Sequence, residues 1–180
     1  MKRAETLRAT LKGARAKIHD PQNSVSFAEM ADATVLERDL SDCNVLIRTH
    51  TQLSAALALA SLDGVARRMV IAPPDLDETH IPAIMARAEI DVVVTDMDML
   101  GAKVARIGAR RPAPMTANCK TEWVMFTSGT TGVPKGVMHD FSGLTGAIAP
   151  GIANGVVWGT FYDIRRFGGL QILLRAILGD

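Results

Sequence analysis

The run VMFTSGTTGVPKGVMH, residues 124–139, sets Thr127, Ser128, Thr130 and Thr131 among Gly129, Gly132 and Gly136, with Pro134 directly before Lys135. Glycine adopts left-handed backbone angles at no steric cost, so successive N–H groups can turn toward one point and form an anion-binding concavity. The hydroxyls add donors whose protons rotate to suit, and Lys135 adds a full positive charge. Such a loop suits a polyphosphate. The bland alternative is a Ser/Gly surface turn; the crowding of four hydroxyls and a lysine directly after an apolar run argues against it.

Two commoner phosphate loops do not fit. The P-loop needs glycine, four residues, then Gly-Lys-Ser/Thr. Counting from Gly129, position 134 is proline, and Gly136 rather than a hydroxyl residue follows Lys135. The dinucleotide fingerprint Gly-x-Gly-x-x-Gly also fails on the spacing of Gly129, Gly132 and Gly136.

The elements that would position the loop are legible from residue 44 onward. Residues 44–49 are a short β-branched run, and 51–62 follow as a helix with Leu53, Ala56, Leu57 and Ala60 on one stripe. Residues 68–72 form a second apolar strand, stopped by Pro73 and Pro74. Thr79 then offers a cap for a helix carrying Ile81, Ile84, Met85 and Ala88. A third strand spans 91–95. Apolar strands alternating with crossover helices specify parallel pairing, because each helix covers a face of the sheet. The expected fold class is α/β, with parallel-sheet layers and flanking helices.

Residues 101–118, rich in Arg, Ala and Pro, read as a loop. A strand at 122–126, the glycine-rich loop, and a helix from 137 to 148 interrupted by Gly143 and Gly146 complete a strand-loop-helix unit. The last segments are 156–158, an aromatic and arginine-rich run at 160–169, and an amphipathic helix at 170–178. Before residue 44 the text is less regular. Leu7, Leu11, Ala14 and Ile18 form the apolar face of a basic opening helix, Asp20 and Pro21 mark a loop, and 27–36 is weakly periodic.

The composition is that of a globular protein: 48% hydrophobic and 22% charged, with 20 basic against 19 acidic residues among 180. So even a balance gives no electrostatic reason to expect nucleic acid. Cys43 and Cys119 lack partners at metal-ligand spacing and read as buried thiols. No apolar stretch reaches the roughly 18–20 residues of a membrane span. No secretory signal follows the basic start, so a cytoplasmic location is expected.

Residues 126–137, Phe-Thr-Ser-Gly-Thr-Thr-Gly-Val-Pro-Lys-Gly-Val, resemble the phosphate-binding signature of the AMP-forming adenylating enzymes, the superfamily of acyl-CoA and aryl-CoA synthetases, peptide-synthetase adenylation domains and luciferases. The resemblance extends from about residue 44 to the end. It implies ATP with magnesium as cofactors, a carboxylic acid as substrate, and coenzyme A or a carrier phosphopantetheine as acceptor. On the matching positions it implies Thr127, Ser128, Gly129, Thr130, Thr131, Gly132 and Lys135 at the phosphates, with Lys135 the candidate for a catalytic role.

Phe161, Tyr162, Gly168 and Gly169 lie in a stretch similar to the one that walls the family's acyl or aryl pocket, although the aromatics there are equally readable as core residues. Family members often carry His where Tyr162 or Asp163 stands, and Arg165 and Arg166 are polar for a fatty-acyl wall. His139 reads as a surface or helix-start residue rather than a catalyst. The implied organisation is a lead-in at 1–43 and a partial AMP-binding domain at 44–180. The family's adenine segment, magnesium-holding Glu, ribose Asp and C-terminal domain with its hinge Lys are expected to be absent. An isolated chain of this kind is expected to be inactive, and to need its missing portion or self-association to cover its sheet edges.

Overall fold

The computed structural model describes residues 6–98, 103–113, 119–127, 134–149 and 156–179. A seven-stranded mixed sheet organises the molecule. Its strands are β3 (Ala33–Leu36), β4 (Asn44–Ile47), β5 (Arg68–Ile71), β6 (Val92–Thr95), β7 (Val104–Pro112), β8 (Glu122–Phe126) and β9 (Gly136–His139), in the spatial order β3-β7-β6-β4-β5-β8-β9. The five inner strands run parallel, while β3 and β9 close the two edges in antiparallel pairing. Preceding the sheet are α1 (Leu7–Leu11), a two-stranded hairpin of β1 (Lys17–His19) and β2 (Ser24–Ser26), and α2 (Phe27–Asp32). The remaining helices are α3 (Gln52–Leu62), α4 (Ile81–Arg87), α5 (Phe141–Thr145) and α6 (Phe167–Leu178).

Alternation along the strands sends side chains to two cores. Val45, Ile47, Met69, Ile71, Val92, Val94, Trp123 and Met125 face α1, α2, α3, α5 and α6, whereas Leu46, Val70 and Val93 face α4. The crossover after β4 thus runs over one face and the crossover after β5 over the other. Both faces of the inner strands become dry, which is why β4 and β6 are buried at every position.

Several expectations change. Residues 137–148 are not one helix: 136–139 pair with β8, and Asp140 then caps α5 by accepting from Gly143 N–H at 2.6 Å. A helical period is weak where Val137 and Met138 favour an extended edge, and Asp140 is a strong N-cap. The arginine-rich stretch expected as a loop contains the nine-residue β7, whose outer half is exposed and carries the charged side chains of an edge region. Asp77, not Thr79, caps the turn before α4, accepting from Thr79 N–H at 2.8 Å. Helix α3 is buried nearly all round rather than on one stripe, because α1, α2 and β3 lie over its outer side. The opening helix is short; Leu7, Leu11 and Ala14 are buried as expected, but Ile18 belongs to β1. Cys43 and Cys119 are only half-buried free thiols.

A polar contact inside the larger core ties the opening segment to the loop-bearing strand. The Asp63 carboxylate accepts from Leu7 N–H at 2.6 Å and from Trp123 Nε1–H at 2.9 Å, and Arg8 Nε donates to Ala60 O at 3.2 Å. Burial pushes the Asp63 carboxyl up to about 6, against the opposing pull of the Leu7 and Trp123 hydrogen bonds and of Arg8. A folded value above the ordinary 3.8 means that folding takes up a proton. The group therefore adds stability that is complete below about pH 3.8 and is lost as pH rises through about 6. Urea unfolding between pH 4.5 and 7 is expected to show this decline, on the order of 2 kcal/mol, and Asp63→Asn is expected to flatten it; an unchanged slope in the variant contradicts the assignment.

Candidate functional site

All parallel strands deliver their carboxyl ends to one side of the sheet. In an open α/β sheet, ligands collect outside those ends where neighbouring crossovers leave on opposite faces. That condition holds between β4 and β5. The loops there are 48–51 and 72–77, and β8, next to β5, carries the glycine-rich loop to the same rim.

The loop is mounted on a hairpin. Strands β8 and β9 pair through Phe126↔Gly136, and the hairpin closes where Thr127 N–H donates to Lys135 O at 3.0 Å, seconded by the Thr127 hydroxyl at 3.3 Å. Residues 128–133, which include Ser128, Gly129, Thr130, Thr131 and Gly132, lie outside the described residues. Both ends of the loop are therefore fixed about one strand-pair apart. Gly136 has a distinct structural cause: a Cβ there would stand 2.8 Å from Val124 Cγ1 across the pair. The element that follows the loop is a strand, β9, rather than a helix. Lys135 is exposed and makes no ion pair among the described residues.

The 160–169 segment crosses the β4–β5 rim and is anchored by Asp163, Arg165 and Arg166, which the sequence marked only as departures from the family's pocket wall. Arg165 is buried; its Nε and Nη2 donate to the two oxygens of Asp163 at 2.8 and 2.6 Å, and Nη1 donates to Thr49 O in the loop after β4. Burial opposes ionisation of Asp163, but hydrogen bonds from the Arg165 side chain and backbone outweigh it and hold the carboxyl below its ordinary value. Arg166 pairs with Asp75 in the loop after β5, and Gln52 at the start of α3 accepts from Ile164 N–H at 3.0 Å. Asp96, after β6, accepts from His50 and Thr51 N–H at 2.6 and 3.2 Å, fixing the same β4 loop from the other side. One signal was available: Asp163 with Arg165 two residues on is an Asx-turn pattern, and Arg165 N–H does donate to Asp163 at 2.8 Å.

The four pocket-wall positions divide. Phe161 is fully exposed and Tyr162 largely so, which removes the core-aromatic alternative for both. Gly168 has open space around it. Gly169 is packed so closely that a Cβ would stand 2.2 Å from Asp163 O. Phe167 is half-exposed and stacks on His139, ring centroids 5.5 Å apart, joining α6 to the end of β9. Beside this segment a cavity of about 630 Å³ opens between the β1–β2 hairpin, the start of α3, residues 156–160 and α6. Among the described residues no group of three or more His, Cys, Asp or Glu could hold a metal ion, and no helix is long and apolar enough to cross a membrane.

The doubly wound sheet, with a hairpin that carries the hydroxyl- and glycine-rich segment at its carboxyl rim, defines an open α/β protein. The AMP-binding enzyme family matches residues 39–160, and the chain belongs to that family. Over 54 residues it is 41% identical to the propionate–CoA ligase of Escherichia coli strain K12; that stretch is 30% of this chain and 9% of the ligase. Its fold is that of the Bacillus subtilis O-succinylbenzoate coenzyme A synthetase solved with ATP and magnesium ion (TM-score 0.66, 16% identity, covering 96% of this chain and 53% of that one). It is likewise that of a malonyl-CoA ligase solved with methylmalonyl-CoA and AMP (TM-score 0.64, 21% identity, 92% and 40%). The chain thus spans about half the length of these solved relatives.

Proposed function

We propose that this chain forms the phosphate-binding part, and a portion of the acid-binding part, of an enzyme that activates a carboxylic acid with ATP and passes the acyl group to a thiol. The observation that carries the reading is the 126–137 signature held on a hairpin at the carboxyl rim of the parallel sheet. A carboxylate oxygen bonds to the α-phosphorus of ATP, and the bond to the pyrophosphate oxygen breaks. The acyl adenylate then exchanges AMP for the sulfur of coenzyme A or a carrier phosphopantetheine. Negative charge grows on the departing pyrophosphate, so donors arranged beforehand around its oxygens stabilise that step.

In this reading Thr127, Ser128, Thr130, Thr131 and Lys135 are the donors, and Gly129 and Gly132 let loop N–H groups converge. The fixed closure between Thr127 and Lys135 fits a loop that cradles a group rather than one that spans a gap. Magnesium would arrive with the nucleotide, neutralising phosphate charge and bound chiefly by phosphate oxygens. Phe161 and Tyr162 supply exposed aromatic surface for the acyl or aryl group, and Gly168 and Gly169 shape the backbone beneath it.

Calorimetric titration with ATP and magnesium tests the nucleotide site directly. Lys135→Ala and Thr131→Ala are each expected to weaken binding about tenfold or more while leaving the unfolding midpoint unchanged. No binding by the folded chain would reject the reading. A second reading, resting on the same hairpin-mounted signature alone, is a nucleotide-binding module without catalysis of its own. Carboxylate-dependent exchange of pyrophosphate into ATP separates the two: exchange supports activation, and nucleotide binding without exchange supports the module.

A further inference from the structure

We propose that the stretch 156–162 is a self-association surface, seated in solution against the same stretch of a second copy of this chain. Of the eight exposed large hydrophobic residues among the described residues, five fall within these seven positions: Val156, Val157, Trp158, Phe161 and Tyr162. Val157 is 95% exposed and Phe161 fully so. Single apolar residues on a surface are ordinary, whereas a concentrated run of them marks a contact. The exposed parts of Phe161, Tyr162 and Trp158 alone present about 400 Å², and the two valines add to it. A standard interface buries about 800 Å² on each partner. The stretch therefore supplies the apolar centre of such an interface and leaves the surrounding polar surface for its rim.

The backbone there is equally uncommitted. No helix or strand includes residues 156–162, and among the described residues no hydrogen bond engages the N–H or C=O groups of Val156, Val157, Trp158 or Gly159. Valine and tryptophan favour pleated pairing, so two such stretches laid side by side exchange main-chain hydrogen bonds while their side chains pack. Charge then selects a second copy as the occupant. A two-fold contact brings residues near the axis against their own mates, so a charge there would meet its like. Residues 141–162 contain no Asp, Glu, Lys, Arg or His, and the first charge beyond them, Asp163, is held by Arg165 of the same chain. Two copies of the stretch thus meet without repulsion, and nothing in it calls for an acidic or basic partner. In the acyl reading of Phe161 and Tyr162 the second copy also closes that wall from water; the association itself does not rest on that reading.

Sedimentation velocity on a dilution series reaching about 100 µM is expected to show a monomer–dimer equilibrium. Val157→Lys, at a position too exposed to disturb folding, is expected to keep the parent's urea midpoint and to weaken association about tenfold or more, because two ammonium groups then meet near the axis. Val157→Glu is expected to do the same. An equimolar mixture of the two variants is expected to recover the dimer, since opposite charges now face each other between copies. Met138→Lys is the control: Met138 is also an exposed apolar residue, but it lies on β9, and its replacement is expected to leave the dimer unchanged.

The proposal is overturned if the folded parent chain stays monomeric at about 100 µM, which would give the stretch to another occupant. It is equally overturned if Val157→Lys associates like the parent, if mixing the two Val157 variants recovers nothing, or if Met138→Lys weakens association as much. A parallel titration with ATP and magnesium separates this result from the nucleotide reading: Lys135→Ala is expected to lose ATP and keep the dimer, and Val157→Lys to lose the dimer and keep ATP.

Discussion

Gly169→Ala is expected to destabilise the chain by about 3 kcal/mol or more, measured as a fall in the urea midpoint at unchanged slope. The added carbon would stand 2.2 Å from Asp163 O, 2.4 Å from its carbonyl carbon and 2.6 Å from Tyr162 O. All three are backbone atoms of a turn that cannot rotate away, since Arg166 N–H donates to Asp163 O at 3.0 Å and the Asp163 side chain is clamped by Arg165. Relief requires the start of α6 to lift from the 162–163 turn, uncovering the fully buried Leu170 and Leu174. Gly168→Ala is the control: nothing lies within 4 Å of its added carbon, and lower unfolded-state entropy favours it by up to about 1 kcal/mol. Equal effects at the two positions would contradict the close approach.

Arg165→Met is expected to cost about 3–5 kcal/mol, the range for removing one member of a buried ion pair. The loss leaves Asp163 without its two guanidinium bonds and Thr49 O without its donor. Adding Asp163→Asn to Arg165→Met is expected to recover part of the loss, because the uncompensated buried charge disappears; no recovery would mean that the packing of the arginine stem dominates. Limited proteolysis adds a local readout. The 156–166 segment is expected to be cut faster in Arg165→Met than in the parent chain, since its tie to the β4 loop is gone, while Arg166 and Asp75 still hold it to the β5 loop.

Strands β4, β5 and β6 were legible because each is a short apolar run buried on both faces, and β8 because its apolar run alternates between buried Trp123 and Met125 and half-buried Val124 and Phe126. The family was legible for a different reason: the glycine, serine, threonine and lysine spacing of residues 126–137 is a local signature, readable without any tertiary contact. Strand β7 was hidden because Arg106, Arg110 and Arg111 look like loop residues, and only pairing with β3 on one side and β6 on the other makes the stretch a strand. Strand β9 was hidden because Val137 and Met138 fit either a helix or a strand until β8 stands beside them.

Arg165 shows the same limit at the candidate site. In sequence it is one of two adjacent arginines, with nothing to separate them. In the fold it is buried, paired with Asp163 and bonded to the β4 loop, while Arg166, one residue on, is the more exposed member of a pair with Asp75. Gly168 and Gly169 are likewise indistinguishable as letters and opposite in consequence.

The sequence by itself determined the class of sheet and the family, because hydrophobic period and residue spacing are local properties written along the chain. Tertiary structure alone decided that the loop rides on a hairpin, that Asp163 and Arg165 lock the neighbouring segment across the β4–β5 rim, and that an apolar cavity opens against the N-terminal hairpin. Each of these depends on which distant residues become neighbours, and the free energy of burying a guanidinium or of leaving a cavity is set by those neighbours rather than by the residue's own type.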